Sequence, residues 1–182
     1  PAGPESHYSG IGNELNNVLT GNRGDNVLEG FGGNDVLNGR GGNDTLKGGE
    51  GTDTYLFGIG DGQDRIEDHS VSGETDSVQL APGLAPNQIG VVQSGSDLVL
   101  RMPGSMDSLT LADFFGPPSA AQKNVRFQDS TVWDEAILRA LGADPGQGLT
   151  IVDEDSGDNV LLGSSGHDVL TGGSGNDTLI GG

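Results

Sequence analysis

A nine-residue period in residues 30–53 constrains the fold of this chain more than any other feature. In each unit an aspartate occupies position six, glycine occupies positions one and four, and an apolar residue fills position eight. The aspartates are Asp35, Asp44 and Asp53, and the apolar residues are Leu37, Leu46 and Tyr55. A fixed short period is typical of solenoids, in which each unit is ordered by stacking on its neighbours.

The same register continues on both sides of this stretch. Residues 21–29 place Asn26 at position six, residues 60–66 place Asp64 there, and a fainter copy in residues 73–78 places Asp76 there. Residues 12–20 match more weakly, and the period is absent from residues 81–150. It resumes with Asn159, Asp168 and Asp177 at position six. We therefore predict a first repeat block over residues 12–80, a flanking module over residues 81–150, and a second, truncated block over residues 151–182.

Each unit predicts a turn followed by a short strand. Glycine permits the positive φ of a tight turn, and the β-favouring residues after position six form strands of about three residues. Two units per coil give an all-β, flattened, right-handed parallel β-roll with position eight pointing inward. The turns of units i and i+2 then lie above one another. Their carbonyl oxygens and position-six carboxylates enclose a cavity lined by oxygen.

Composition agrees with a cation-binding role. The 182 residues include 34 glycines and only 4% aromatic residues, which argues against an ordinary packed core, and the net charge is -19. Such a surface repels nucleic acid and anionic membranes, so we expect neither as a partner, and we expect no direct membrane insertion. The chain has no cysteine, which excludes thiolate ligands and disulfides. Several oxygen ligands on flexible backbone suit Ca²⁺ better than Zn²⁺ or Mg²⁺.

The units GGxGxDxUx resemble the RTX (repeats-in-toxin) nonapeptides of secreted Gram-negative proteins, a motif known to form a calcium-binding parallel β-helix. The resemblance implies Ca²⁺ between successive turns, a disordered chain without the ion and a folded one with it. It also implies the ligands. The side-chain candidates are Asn26, Asp35, Asp44, Asp53, Asp64, Asp76, Asn159, Asp168 and Asp177, and the turn glycines that accompany them are Gly32, Gly33, Gly41, Gly42, Gly51 and Gly175.

An isolated GxGxD would be read as a turn and nothing more. Because the spacing holds over consecutive units, we expect several ions, about three to five in the first block and about one or two in the second.

The flanking module reads as a cap for the open end of the first block. Strands at 89–93, 98–102 and 109–115 predict a meander, and 125–127 with 131–133 predicts a hairpin. A short helix over residues 135–141 follows, with Asp134 as N-cap and Gly142 closing it. These segments also resemble the region that follows the repeats in haemolysin-type proteins. The alternative is a ligand-binding face built around Trp133.

No catalytic constellation is present, because the three histidines are far apart and no nucleophile–base pattern stands out. We therefore expect a non-enzyme: a calcium-binding module of a secreted RTX protein that folds in extracellular or cell-surface Ca²⁺ after type I secretion. Two alternatives remain, the non-catalytic tail of an exoenzyme and a repeat module of a surface adhesin. The parent could equally be a toxin. End-to-end stacking of rolls is a further expectation, since the second block has few units.

Overall fold

The computed structural model describes residues 7–67, 74–116, 122–142, 150–152, 160–162, 169–172, 175–176 and 178–180. The chain divides into two compact units, Pro1–Ala136 and Ile137–Gly182. In the first unit the repeats and the segment that follows them are packed together. The domain limits at residues 80 and 150 stay a prediction.

Two sheets form the first unit, and successive repeats alternate between them. The seven-stranded sheet has the order β1 (Ser9–Asn13), β3 (Val27–Gly32), β5 (Thr45–Glu50), β7 (Gln63–Ile66), β11 (Ser108–Leu111), β10 (Asp97–Arg101) and β9 (Gly90–Ser94). The six-stranded sheet has the order β13 (Val132–Trp133), β12 (Gln122–Arg126), β8 (Thr75–Leu80), β6 (Thr54–Phe57), β4 (Val36–Asn38) and β2 (Val18–Thr20).

The register of these strands shows that one coil consists of two units. In the seven-stranded sheet Val27 pairs with Thr45, and in the six-stranded sheet Val36 pairs with Thr54, both in parallel. Each pair joins residues two repeats apart, as expected if unit i stacks on unit i+2. The chain is therefore mostly strand, and its parallel sheets form the β-roll that the period predicts.

The core of the roll is a stack of position-eight side chains between the two sheets. Each faces inward because a strand alternates its side chains and position eight follows the turn by two residues. The buried members of this stack are Leu28, Leu37, Leu46, Tyr55, Ile66 and Val78. Burial of one such side chain stabilises the fold by about 1.5–3 kcal/mol. A narrow core of single residues thus holds a glycine-rich chain together.

The segment after the repeats extends both sheets of the roll. The meander of β9, β10 and β11 is antiparallel within itself, and β11 then pairs with β7 in parallel. In the other sheet β12 pairs in parallel with β8 and forms the hairpin with β13. The predicted meander and hairpin are confirmed. A short 3₁₀ helix, Pro86–Gln88, precedes β9.

The helix α1, Glu135–Gly142, is also confirmed, with Gly142 as its last residue rather than the residue after it. Trp133 is buried and its ring meets that of Phe127 edge-on, with centroids 4.8 Å apart. This tryptophan is part of the core, so the alternative of an exposed binding face around it is wrong.

The second unit carries the later repeats. Its strands form two parallel pairs, β14 (Thr150–Val152) with β16 (Val169–Thr171) and β15 (Val160–Leu162) with β17 (Thr178–Ile180). The alternation between two sheets is the same as in the first unit. Leu179, at position eight, is 45% exposed, in contrast to the position-eight residues of the first unit. The predicted ligands Asn159, Asp168 and Asp177 lie outside the described residues.

Candidate metal centre

The position-six residues of the first unit form two rows, because alternate units lie on opposite edges of the roll. We call them the even row, which lies at the start of the strands β2, β4, β6 and β8, and the odd row, which lies at the start of β3, β5 and β7. Each member is the residue just before its strand or, for β7 and β8, the second residue of the strand. The even row is Asn17, Asp35, Asp53 and Asp76, and the odd row is Asn26, Asp44 and Asp64. All but Asn17 are buried. The sequence thus places six polar side chains inside the protein.

The first carboxylate oxygen of each aspartate links neighbouring coils. In the even row, Oδ1 of Asp35 accepts the backbone N–H of Asn17, Oδ1 of Asp53 that of Asp35, and Oδ1 of Asp76 that of Asp53, at 2.7–2.9 Å. In the odd row the same bonds run from Asn26 to Asp44 at 2.7 Å and from Asp44 to Asp64 at 2.9 Å. Each acid therefore bonds to the backbone at position six of the coil before it.

The second carboxylate oxygen is in a different situation. Oδ2 of Asp35, Asp44 and Asp64 is buried and has no hydrogen-bond donor in the described part of the chain. Burial raises the pKa of Asp44 to about 6. It also raises the pKa of Asp64 to about 8, with a smaller contribution from the negative charges of Asp44, Asp61 and Asp107. A buried carboxylate with an unbonded oxygen is costly unless a cation compensates its charge.

The glycine at position one makes room for the Oδ2 atoms of Asp35 and Asp44. A β-carbon on Gly30 would collide with Oδ2 of Asp35 and would come within 2.6 Å of the carbonyl oxygen of Gly48, one coil further along. Position one of the next unit, Gly39, lies against Oδ2 of Asp44 in the same way. At Gly30 a carboxylate oxygen and a carbonyl oxygen therefore meet over the glycine, and a side chain there would fill the space between them.

The glycine at position four has the positive φ that the turn needs. Gly33, Gly42 and Gly51 have φ of 99°, 118° and 121°, and Gly175 of the second unit has 141°. A β-carbon on Gly42 would also lie 2.6 Å from the carbonyl carbon of Gly24 in the preceding coil. Both conditions restrict position four to glycine.

The position-three glycines Gly32 and Gly41 do not have positive φ; a β-carbon on Gly41 would lie 3.4 Å from the carbonyl oxygen of Gly60.

Position five carries a second ladder that the sequence analysis did not identify. Oδ1 of Asn16 accepts the backbone N–H of Asn34 at 2.8 Å, and Oδ1 of Asn34 accepts that of Thr52 at 3.0 Å. On the other edge Asp25 bonds to Asn43 and Asn43 to Gln63 in the same manner. The recurrence of Asn or Asp at position five was the available signal.

Two predicted ligands differ from the others. Oδ1 of Asn26 accepts the backbone N–H of Asn22, in the same turn, at 2.7 Å. Because its side chain is a neutral amide, Asn26 has no buried charge that a cation would have to compensate. Oδ2 of Asp76 lies 2.7 Å from Nζ of Lys123 in a buried ion pair. The structure therefore brings all six buried residues into the two rows, yet gives two of them other partners.

The side chains alone do not complete a cation site. Within the described residues, no three Asp, Glu or His side chains converge on one point. Carbonyl oxygens of the turns could supply the remaining ligands; that of Gly48 and Oδ2 of Asp35 both lie beside Gly30. Such a set is entirely hard oxygen, with one carboxylate for several carbonyls, which fits Ca²⁺.

The fold is a two-sheet roll of nine-residue units with buried acids in its turns. These features place it in the class of calcium-binding β-rolls. Comparison with protein families agrees. Residues 11–46, 29–64 and 155–182 match the model for the RTX calcium-binding nonapeptide repeat (4 copies), and residues 97–136 match the haemolysin-type calcium binding protein related domain. The chain thus carries RTX haemolysin-type repeats, and the ion that such repeats bind is Ca²⁺. Among curated proteins, none matches the sequence significantly.

Proposed function

We propose that this chain is a calcium-coupled folding module, whose β-roll becomes ordered only when Ca²⁺ binds in its turns. The observation that carries the proposal is the set of buried, unbonded Oδ2 atoms on Asp35, Asp44 and Asp64. Without a cation each of them opposes folding, in addition to the repulsion within a chain of net charge -19. With Ca²⁺ the binding free energy becomes folding free energy.

The side-chain ligands that we assign are the aspartates Asp35, Asp44, Asp53 and Asp64, each together with carbonyl oxygens of glycine-rich turns. Their position-six equivalents Asp168 and Asp177 extend the assignment to the second unit. Asn26 and Asn159 are the weaker members, since an amide supplies one neutral oxygen. Bound Ca²⁺ would neutralise the buried carboxylates and connect successive turns. The role assigned to the chain is binding and folding, not catalysis.

We place this module in a secreted bacterial protein that reaches an extracellular or cell-surface location through type I secretion. Extracellular calcium modules bind at about 10⁻⁴ to 10⁻³ M, so the chain would remain unfolded in the cytosol, where the ion is scarce, and would fold outside. The match to RTX repeats supports this proposal. In the described part of the chain, no helix has the length and apolar character of a membrane span.

A calcium titration tests the proposal. The 182-residue chain is titrated with Ca²⁺ and separately with Mg²⁺, while circular dichroism reports strand content and the hydrodynamic radius reports compaction. We expect a cooperative gain of strand signal and a smaller radius with Ca²⁺ only. A protein that is already compact and rich in strand in a chelator would contradict the proposal.

A matched pair of variants assigns the effect to the rows. Asp44→Asn removes one buried charge from the odd row and retains the amide oxygen for the N–H of Asn26, so the calcium midpoint should rise. Asp129→Asn makes the same chemical change at an exposed turn of the β12–β13 hairpin. It should leave the midpoint unchanged. Equal midpoints for the two variants would refute the role of the odd row.

We also propose that a repeat coil of a second copy of this chain stacks on the end of the roll formed by β1 and β2. β1 and β2 are the outer strands of the two sheets, and near them Val18, Leu15 and Ile11 are 76%, 69% and 68% exposed. An uncovered strand edge with apolar side chains is a template for another strand pair. Sedimentation in Ca²⁺ should therefore show end-to-end association that Val18→Lys abolishes. A monomer at all concentrations would contradict stacking between copies.

A further inference from the structure

The strand that follows the last coil of the even row continues its register but reverses its charge. β12 pairs with β8 in parallel, with Val125 opposite Val78 and Lys123 opposite Asp76. Val78 is a position-eight residue and Asp76 a position-six residue, so Lys123 stands at position six of the next coil. Every described position-six residue before it in this row is an acid or an amide.

The lysine side chain reaches back to the acid of the preceding coil. Nζ of Lys123 lies 2.7 Å from Oδ2 of Asp76, and the side chains are 9% and 0% exposed. Oδ1 of Asp76 meanwhile accepts the N–H of Asp53 at 2.9 Å, as in the other coils. The ammonium group thus contacts the same oxygen, Oδ2, that is left without a donor on Asp35 of this row.

At the last coil of the odd row, no lysine lies opposite the position-six acid. There the strand after the last coil is β11, and Leu109 is the residue opposite Asp64. Leucine provides no charge, and Oδ2 of Asp64 has no donor among the described residues. The two rows therefore end differently: one with a cation from the protein, the other with a buried carboxylate that lacks one.

We propose that the ammonium group of Lys123 takes the place of a calcium ion at the last coil of the even row. Asp76 then binds no Ca²⁺, although its place in the repeat is that of a ligand, and the junction between β8 and β12 is held without the ion. The odd row keeps its last calcium position, at Asp64. This inference rests on the proposed calcium-binding function of the rows.

A count of bound ions by native mass spectrometry of the full chain in saturating Ca²⁺ tests the inference. The variant Asp76→Asn/Lys123→Met replaces the ion pair by neutral side chains of similar size, and it should bind as many ions as the wild type. Lys123→Met alone leaves the carboxylate of Asp76 without its ammonium group, so that variant should bind one ion more. Asp35→Asn makes the same acid-to-amide change at an even-row residue that we assign as a calcium ligand. That variant should bind fewer ions than the wild type.

Two results would overturn the inference while leaving the proposed function intact: one ion fewer in the double variant, or no additional ion in Lys123→Met. The double variant keeps the test decisive if Lys123→Met does not fold, since it buries no unpaired charge. A wild-type chain that binds no calcium would refute the proposed function and this inference with it.

Discussion

The backbone N–H of Asp44 donates a hydrogen bond of 2.9 Å to Oδ1 of Asp64, the aspartate that stands above it in the next coil. Oδ1 of Asp44 accepts the N–H of Asn26 in the same way. In both Asp44 and Asp64, Oδ1 is therefore fixed by a backbone hydrogen bond, while Oδ2 is buried in the turn without a donor in the described part of the chain. This division explains why the same side chain can both hold the roll in register and require a cation.

The two roles of Asp44 predict opposite effects of Asp44→Asn with and without calcium. The amide oxygen keeps the bond to Asn26 and removes the buried charge, so in a chelator the residual structure should become more stable. In Ca²⁺ the loss of a charged ligand should weaken binding by roughly tenfold, which is about 1.4 kcal/mol. Circular dichroism in the chelator and urea unfolding in Ca²⁺ measure the two effects. A variant with less strand signal than the wild type in the chelator would contradict the assignment.

The raised pKa values of Asp44, about 6, and Asp64, about 8, predict how stability without calcium depends on pH. In the unfolded chain these carboxyls titrate near pH 4, so between about pH 4 and about pH 8 the folded state binds more protons than the unfolded state. The strand content that the chain retains in calcium-free buffer should therefore be greatest at acid pH and should decrease as pH rises through this window.

Calcium should reverse that dependence, because only the deprotonated carboxylate binds the ion. The strand signal in circular dichroism, recorded between pH 4.5 and pH 8.5 with and without Ca²⁺, gives the two slopes against pH. The variant Asp44→Asn/Asp64→Asn should show a flatter slope in calcium-free buffer. A wild-type slope that rises with pH in that buffer would contradict the prediction.

Arg40, at position two, has φ of 67°, in the left-handed region, and the position-two residue of the next unit is Gly49, with φ of 104°. Because this conformation costs a residue with a β-carbon about 1–2 kcal/mol, Arg40→Gly should stabilise the calcium-bound roll by about 1 kcal/mol. Arg40→Ala removes the same charge but keeps the β-carbon, so it should show no such gain. The melting temperatures of the two variants in saturating Ca²⁺ isolate the backbone effect.

The position-five ladder predicts that Asn43→Ala destabilises the roll. Oδ1 of Asn43 accepts the N–H of Gln63 at 3.0 Å, and the loss of such a bond costs about 1 kcal/mol. Asn43→Asp keeps an acceptor oxygen at the same place, as Asp25 does naturally in the preceding coil. It should therefore remain near wild-type stability. Chemical unfolding in Ca²⁺ distinguishes the two, and equal losses would indicate that the hydrogen bond is not the cause.

The nine-residue period by itself determined the roll and the rows of acids. A period that places a turn and an inward-facing residue in every unit allows few ways to stack, and Leu37 and Asp35 could be assigned to core and turn from their positions alone. The meander and the hairpin were also readable, because each has its own turn residues and alternating strands. These are local properties, and a linear sequence records them.

Only the tertiary structure decided what lies next to each acid. Lys123 follows Asp76 by 47 residues, and no repeat or spacing in the intervening chain indicates that their strands pair. The same is true of Leu109 opposite Asp64. The pairing of β12 with β8 and of β11 with β7 depends on how the non-repeating segment folds back on the roll. Whether a buried carboxylate meets an ammonium group or a leucine, and so whether it needs an ion, is therefore fixed by long-range contacts rather than by the repeat.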